Sequence, residues 1–104
     1  MLALAELFWQ TFASQTAEDT YNGISSKHAR KVPNTIYKVA IRKLDMLNAA
    51  KVIEDLRIPP NNRLEQLKGN LKEYHSIRIN DQYRVIFKCQ DNEAYDVDIV
   101  NYHK

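Results

Sequence analysis

Two arginines, Arg78 and Arg84, sit in neighbouring runs whose hydrophobic residues alternate, and their spacing puts them in one place. In Tyr74-His75-Ser76-Ile77-Arg78-Ile79 the residues Ile77 and Ile79 share a face, and in Gln82-Tyr83-Arg84-Val85-Ile86-Phe87 so do Tyr83, Val85 and Phe87. Arg78 and Arg84 then point the other way. Both apolar sets fall on one face only if the numbers of paired residues sum to an even number. A two-residue loop at Asn80-Asp81 cannot give this, and a three-residue loop, Asn80-Asp81-Gln82, does. It sets Ile79 opposite Tyr83, Ile77 opposite Val85 and Arg78 opposite Arg84.

Like charges directly opposite on a sheet repel, on a scale of roughly 0.2–1 kcal/mol per pair. Three resolutions are open: Asp96 or Asp98 on the next strand neutralises the pair, the side chains splay into solvent, or two guanidiniums frame a phosphate through bidentate hydrogen bonds. The chain closes on Asn101-Tyr102-His103-Lys104, a phenol, an imidazole and an ammonium just beyond a strand. Histidine exchanges protons near neutral pH and tyrosine stacks on bases, although a terminal Tyr-His-Lys is also the kind of segment that frays at a surface. Lys68 reads either as a further phosphate contact or as a solvated residue closing a short helix. His28, in a basic loop, and His75, facing with Ile77, read as structural. Trp9 and the tyrosines other than Tyr102 read as core or partner-facing. The sequence has no P-loop, no Gly-rich dinucleotide fingerprint, no nucleophile elbow and no Cys/His metal spacing, so no cofactor is implied. The chemistry that fits is phosphoryl transfer in which cations stabilise a phosphorane-like transition state while a proton-transfer group activates a hydroxyl.

The elements that must position these groups follow from periodicity. Phe8–Phe12 predicts a first strand, and Ser14 caps a helix that runs to Gly23. Pro33 suits the first turn of a second helix, 33–48, with Ile36, Ala40, Leu44 and Leu47 as its apolar stripe and Lys38, Arg42, Lys43 and Asp45 on a basic outer face. A short helical piece over Ala49–Leu56 precedes an extended turn at Pro59-Pro60-Asn61-Asn62. Gly69-Asn70 is a break, followed by three strands of an antiparallel meander, the third at Tyr95–Val100 after a turn at 90–93. The predicted fold is α+β: strand, two helices and three strands, with the helices on one face of the sheet.

Bulk properties agree. The 104 residues suit one domain spanning 1–104, with 44% hydrophobic and 27% charged residues and only two glycines and three prolines. The net charge of +2 and pI near 8.7 permit a nucleic-acid partner, with Lys27, Arg30, Lys31, Lys38, Arg42 and Lys43 forming a basic stretch. One cysteine, Cys89, precludes an internal disulfide and reads as a packed strand residue, in keeping with a reducing cytoplasm. Residues 1–7 are apolar but lack a basic leader and meet Glu6 early, so neither a signal peptide nor a membrane span is expected.

Several segments together resemble the HigB-like toxins of the RelE/ParE superfamily: Val39–Ala50, Asp55–Glu65, Ser76–Arg84 and Ile99–His103. The resemblance covers about residues 9–103 and is carried most specifically by Ser76-Ile77-Arg78-Ile79-Asn80-Asp81-Gln82 with the closing Tyr102-His103. Residues 1–7 lie outside it and read as an extended or disordered start. It implies a compact RelE-like domain and a ribosome-dependent endoribonuclease that cuts mRNA in the A site by attack of the RNA's own 2′-hydroxyl, a chemistry that asks for no metal. Carried over, Arg84 stabilises the scissile phosphate, Arg78 and Lys68 hold neighbouring phosphates, Tyr102 and His103 orient RNA or move protons, and Asn80, Gln82 and Arg63 add RNA contacts. Some members have a histidine where this chain has Glu65 and end in Asp-Tyr-His where it has Asn101-Tyr102-His103. His103 is therefore the first candidate for general base and Glu65 the second. The resemblance also implies a HigA-like helix-turn-helix antitoxin as partner, beside the bacterial ribosome and mRNA. The alternatives are a ParE-like gyrase inhibitor and a non-catalytic binding relic of the fold.

Overall fold

The computed structural model describes Ala17 and residues 32–91 and 93–101. The expected strand at 8–12 and helix at 14–23 lie outside the described residues, except that Ala17 is helical and buried. His28, Tyr102, His103 and Lys104 lie outside them too.

Pro33 is extended (φ −58°, ψ 141°) and leads into a 3-10 turn, Asn34–Ile36, before the α-helix α1 begins at Tyr37 and runs to Ala49. Pro33 thus stands before the helix and not within its first turn. The turn at Ala50 (ψ 135°) ends α1, and the Ala50 N–H donates back to the carbonyls of Met46 and Leu47. The expected stripe is the buried one: Ile36, Ala40, Leu44 and Leu47 are each at most 7% exposed. Lys43 joins them at 7%, against the expectation that it lies on the outer face. The reason is geometric, since Lys43 is three residues after Ala40 and four before Leu47 and so lies on the same stripe.

The segment after α1 departs from expectation as well. Ala49–Leu56 is not a continuous helical piece; after extended residues a 3-10 turn spans Ile53–Arg57, with the Asp55 carboxylate accepting from the Lys51 N–H at 2.9 Å. The Ile58–Pro59 peptide bond is cis, and a second 3-10 turn, Pro60–Asn62, ends at Arg63 in the left-handed region (φ 49°). A short strand, β1 (Glu65–Gln66), follows where a helix before Lys68 was expected. Two residues have no periodicity to read.

β2 (Tyr74–Arg78), β3 (Tyr83–Gln90) and β4 (Glu93–Asn101) form the meander, giving an antiparallel sheet of order β1-β2-β3-β4. The β2–β3 register is the one parity requires: Ile77 faces Val85 and Arg78 faces Arg84. The loop is set by Asn80, whose Oδ1 accepts from the N–H groups of Gln82 (2.8 Å) and Tyr83 (2.7 Å). Between β3 and β4 the register shifts, with Asp98 facing Ile86 but Tyr95 facing Lys88. Asp96 takes φ 52° there, a conformation that aspartate tolerates better than most residues, and the bulge brings Ala94 onto the buried face with Val97 and Ile99.

The stripe of α1 packs with Leu56, Ile77, Ile79, Val85, Phe87, Ala94, Val97 and Ile99 in one core. Each fully buried large side chain contributes about 1.5–3 kcal/mol. Phe87 stacks on His75 at 5.9 Å between ring centroids, which places His75 on the core side as expected; burial lowers its pKa from the ordinary histidine value, against a smaller opposing effect of Glu54. Its Nδ1 is buried without a partner. Cys89 is a half-buried strand residue against the same core.

Candidate functional site: an arginine pair across two strands

The opposite face of the sheet carries the arginines. Each is held by a carboxylate, though not by the ones expected. Arg78 donates to Asp81 in the β2–β3 loop. Arg84 meets two partners through one nitrogen: Nη1 donates to Ser76 Oγ at 3.1 Å and forms an ion pair with Glu65 Oε2 at 3.1 Å. Glu65 and Ser76 are cross-strand partners on β1 and β2, so three neighbouring strands converge on one guanidinium.

Exposure separates the two arginines. The Arg84 side chain is 14% exposed and that of Arg78 29%, whereas Asp81 is 96% exposed and Glu65 47%. Neither arginine splays into bulk solvent. Ser76 is fully buried, so the hydroxyl is a fixed anchor and the carboxylate lies toward water. Asp96 sits instead 3.5 Å from Lys88, which also approaches Glu73 (3.7 Å) and lies 5.4 Å from the Tyr74 ring centre. Partial desolvation draws the Lys88 pKa down, but the fields of Tyr74, Asp96 and Glu73 more than offset this and raise it. Asp98 accepts from the Ile99 N–H at 2.8 Å.

Lys68 is exposed and extended (φ −128°, ψ 173°) immediately before a 3-10 turn, Gly69–Leu71. Gly69 has φ 67°, a conformation that favours glycine. Lys68 lines an open groove along the β1 edge with Glu65, Gln66, Leu67 and Leu71. Glu65 thus belongs both to this groove and to the Arg84 contact. Arg63 is exposed two residues before Glu65, and Gln82 is exposed in the loop beside Asp81. The Asn80 side-chain oxygen is committed to the loop. Val100 pairs with Arg84 and Asn101 with Tyr83, so the last described residues of β4 stand beside the arginines.

Sequence reasoning missed three parts of this arrangement. Ser76 is legible after the fact, since it lies two residues before Arg78 on the same face. Glu65 is not, because a two-residue strand leaves no pattern. The third part is a buried ammonium beneath the site: Lys43 Nζ donates to Asn62 Oδ1, and Asn62, fully buried, donates through Nδ2 to the Leu56 carbonyl at 3.1 Å. Burial, then the charges of Arg42 and Arg78, hold the Lys43 pKa below the ordinary lysine value.

This antiparallel sheet backed by a helix is compatible with the RelE-like toxins of type II toxin–antitoxin systems. Residues 10–103 match the family described as RelE-like toxin of the type II toxin–antitoxin system HigB. Over 68 residues the chain is 52% identical to Toxin HigB-1 of Vibrio cholerae serotype O1, covering 65% of this chain and 72% of that protein. Over 64 residues it is 51% identical to an uncharacterised protein of Haemophilus influenzae, covering 62% of this chain and 63% of that protein. The chain belongs to the HigB-like toxin family. Among the described residues no helix is long and apolar enough to cross a membrane.

Proposed function

We propose that this toxin is a cytoplasmic, ribosome-dependent endoribonuclease that cuts mRNA in the A site, with the whole chain acting as one domain. The observation that carries the reading is the arginine pair, with Arg84 fixed at the sheet surface by Ser76 and Glu65. A guanidinium held in place stabilises developing charge without first having to reorganise. The 2′-hydroxyl oxygen of the RNA attacks the adjacent phosphorus while a base takes its proton. The P–O5′ bond breaks, and the 5′-oxygen leaves with a proton from a general acid. The products are a 2′,3′-cyclic phosphate and a 5′-hydroxyl. The chain's residues supply charge and proton transfer, and metal ions are given no role in the step.

Arg84 contacts the scissile phosphate, Arg78 and Lys68 the flanking phosphates, and Arg63, Asn80 and Gln82 the surrounding RNA. Tyr102 and His103 follow the strand end that pairs with Tyr83 and Arg84, and His103 serves as the proton-transfer group with Tyr102 orienting the RNA. A HigA-like helix-turn-helix antitoxin neutralises the toxin in the cell.

The test is a purified reconstitution with ribosomes stalled on a defined mRNA. Cuts on ribosome-bound mRNA, none on free mRNA and a cyclic phosphate at the upstream fragment's end are the expected result. Inhibition of gyrase supercoiling with intact mRNA would move the reading to a ParE-like activity. RNA binding without cleavage would leave a binding module.

A further inference from the structure

We propose that Glu65 and Ser76 are positioning residues for Arg84, and that Glu65 acts through the guanidinium and not as a proton-transfer group; the inference rests on the nuclease reading for its catalytic consequence. Nη1 donates to Ser76 Oγ at 3.1 Å and is ion-paired with Glu65 Oε2 at the same distance. A buried hydroxyl acceptor and a carboxylate on one nitrogen restrain rotation about the Cζ–Nη1 bond and, with it, the plane of the guanidinium. A planar fork is worth little to a phosphate unless its plane is set.

The two acceptors differ in kind. Ser76 is fully buried on β2, away from bulk water. Glu65 is half exposed on a two-residue strand, so its position depends on what anchors that strand. Those anchors lie on both sides. Asn62 is fully buried and held by Lys43, and Leu67, 6% exposed, donates its N–H to the Tyr74 carbonyl at 2.9 Å. The Gln66 side chain adds a hydrogen bond to the Lys72 carbonyl at 3.0 Å. Three residues span the gap from Asn62 to Gln66, which leaves the Glu65 backbone little freedom. The carboxylate also offsets the repulsion between Arg84 and Arg78 directly opposite it.

A positioning role and a base role separate on substitution. Glu65→Gln keeps a polar oxygen beside Nη1 but cannot take up a proton, whereas Glu65→Ala removes both capacities. On stalled ribosomes, kcat is expected to fall less than about tenfold for Glu65→Gln, with the acid limb of the pH–rate profile unchanged. For Glu65→Ala it falls about 10²-fold, the scale of a misplaced catalytic group, with a smaller change in KM. Independently of cleavage, 15N NMR of the full chain reads rotation of the Arg84 guanidinium. Separate, slowly exchanging Nη signals are expected in the wild type and Glu65→Gln, and averaged signals in Glu65→Ala and Ser76→Ala. Averaged signals in the wild type would overturn the proposal, as would a Glu65→Gln enzyme as inactive as Glu65→Ala with its acid limb gone. Slow rotation in a wild type that cuts no RNA would uphold the positioning geometry and remove the nuclease reading alone.

Discussion

The arginine pair on β2 and β3 and the buried Lys43–Asn62 contact each secure a cation, by opposite means. Arg78 and Arg84 stand opposite one another on a sheet face, offset by carboxylates that are half or fully exposed. Lys43 is enclosed, and it donates to a neutral amide, Asn62, that is itself fully buried. Charges at a surface can be exchanged for those of a ligand at little cost, whereas an enclosed charge that loses its partner bears the full desolvation penalty. The first arrangement suits a site that must accept a phosphate. The second suits an anchor that must not move.

Substitutions at the two regions should therefore give opposite outcomes. The largest effect is expected from Arg84→Ala, with a loss of about 10²–10³-fold in single-turnover cleavage on stalled ribosomes and a fall in the urea midpoint smaller than that of Asn62→Ala. A comparable loss of stability in that variant would erase the distinction. Asn62→Ala should do the reverse, destabilising by about 2–3 kcal/mol in urea unfolding because a hydrogen bond to a buried charge is lost. Any loss of cleavage in this variant at low temperature should follow the displacement of Glu65. Asn80→Ala, which removes the acceptor for two loop N–H groups, should cost about 1 kcal/mol and leave the β2–β3 register intact.

The smallest effect concerns His75. Its folded pKa is lowered chiefly by burial, so the native state resists a proton that the unfolded chain accepts. Its contribution to stability is therefore present above the unfolded histidine value near 6.5 and is lost as pH falls through that value and on through the lowered folded one. Stability measured from pH 7.5 to 5 should fall less steeply in His75→Phe than in the wild type. Identical slopes would show that His75 protonation is not coupled to folding.

The same contrast explains what was legible in the sequence. Strand alternation and loop parity gave the facing of Ile77 with Val85 and of Arg78 with Arg84, because a one-residue slip would turn every apolar residue to water. The stripe Ile36, Ala40, Leu44 and Leu47 was legible for the corresponding helical reason. The charge of Lys43 points to the outer face while its spacing points inward, and the spacing prevails; a long side chain can enter a core if its ammonium finds an acceptor, and Asn62 supplies one. Residues 50–68 have no period, so their 3-10 turns and the strand β1 are fixed by tertiary contacts such as those of Asn62 and Leu67. For that reason Glu65 reads in the sequence as a departure from the family pattern and a second candidate base, and not as the carboxylate on Arg84. The bulge at Asp96 was hidden by an alternation that reads as unbroken, and it sends that carboxylate to Lys88. The family resemblance anticipated the match over residues 10–103.

The central claim is that the Arg84 face carries ribosome-dependent RNA cleavage. Its most direct test is to induce the wild type and Arg84→Ala in cells lacking the antitoxin, and to map new 5′ ends on translated and untranslated copies of one mRNA. The account predicts new ends only on the translated copy and none with Arg84→Ala at matched protein levels. Growth arrest without new RNA ends, or equal cutting by Arg84→Ala, would contradict it.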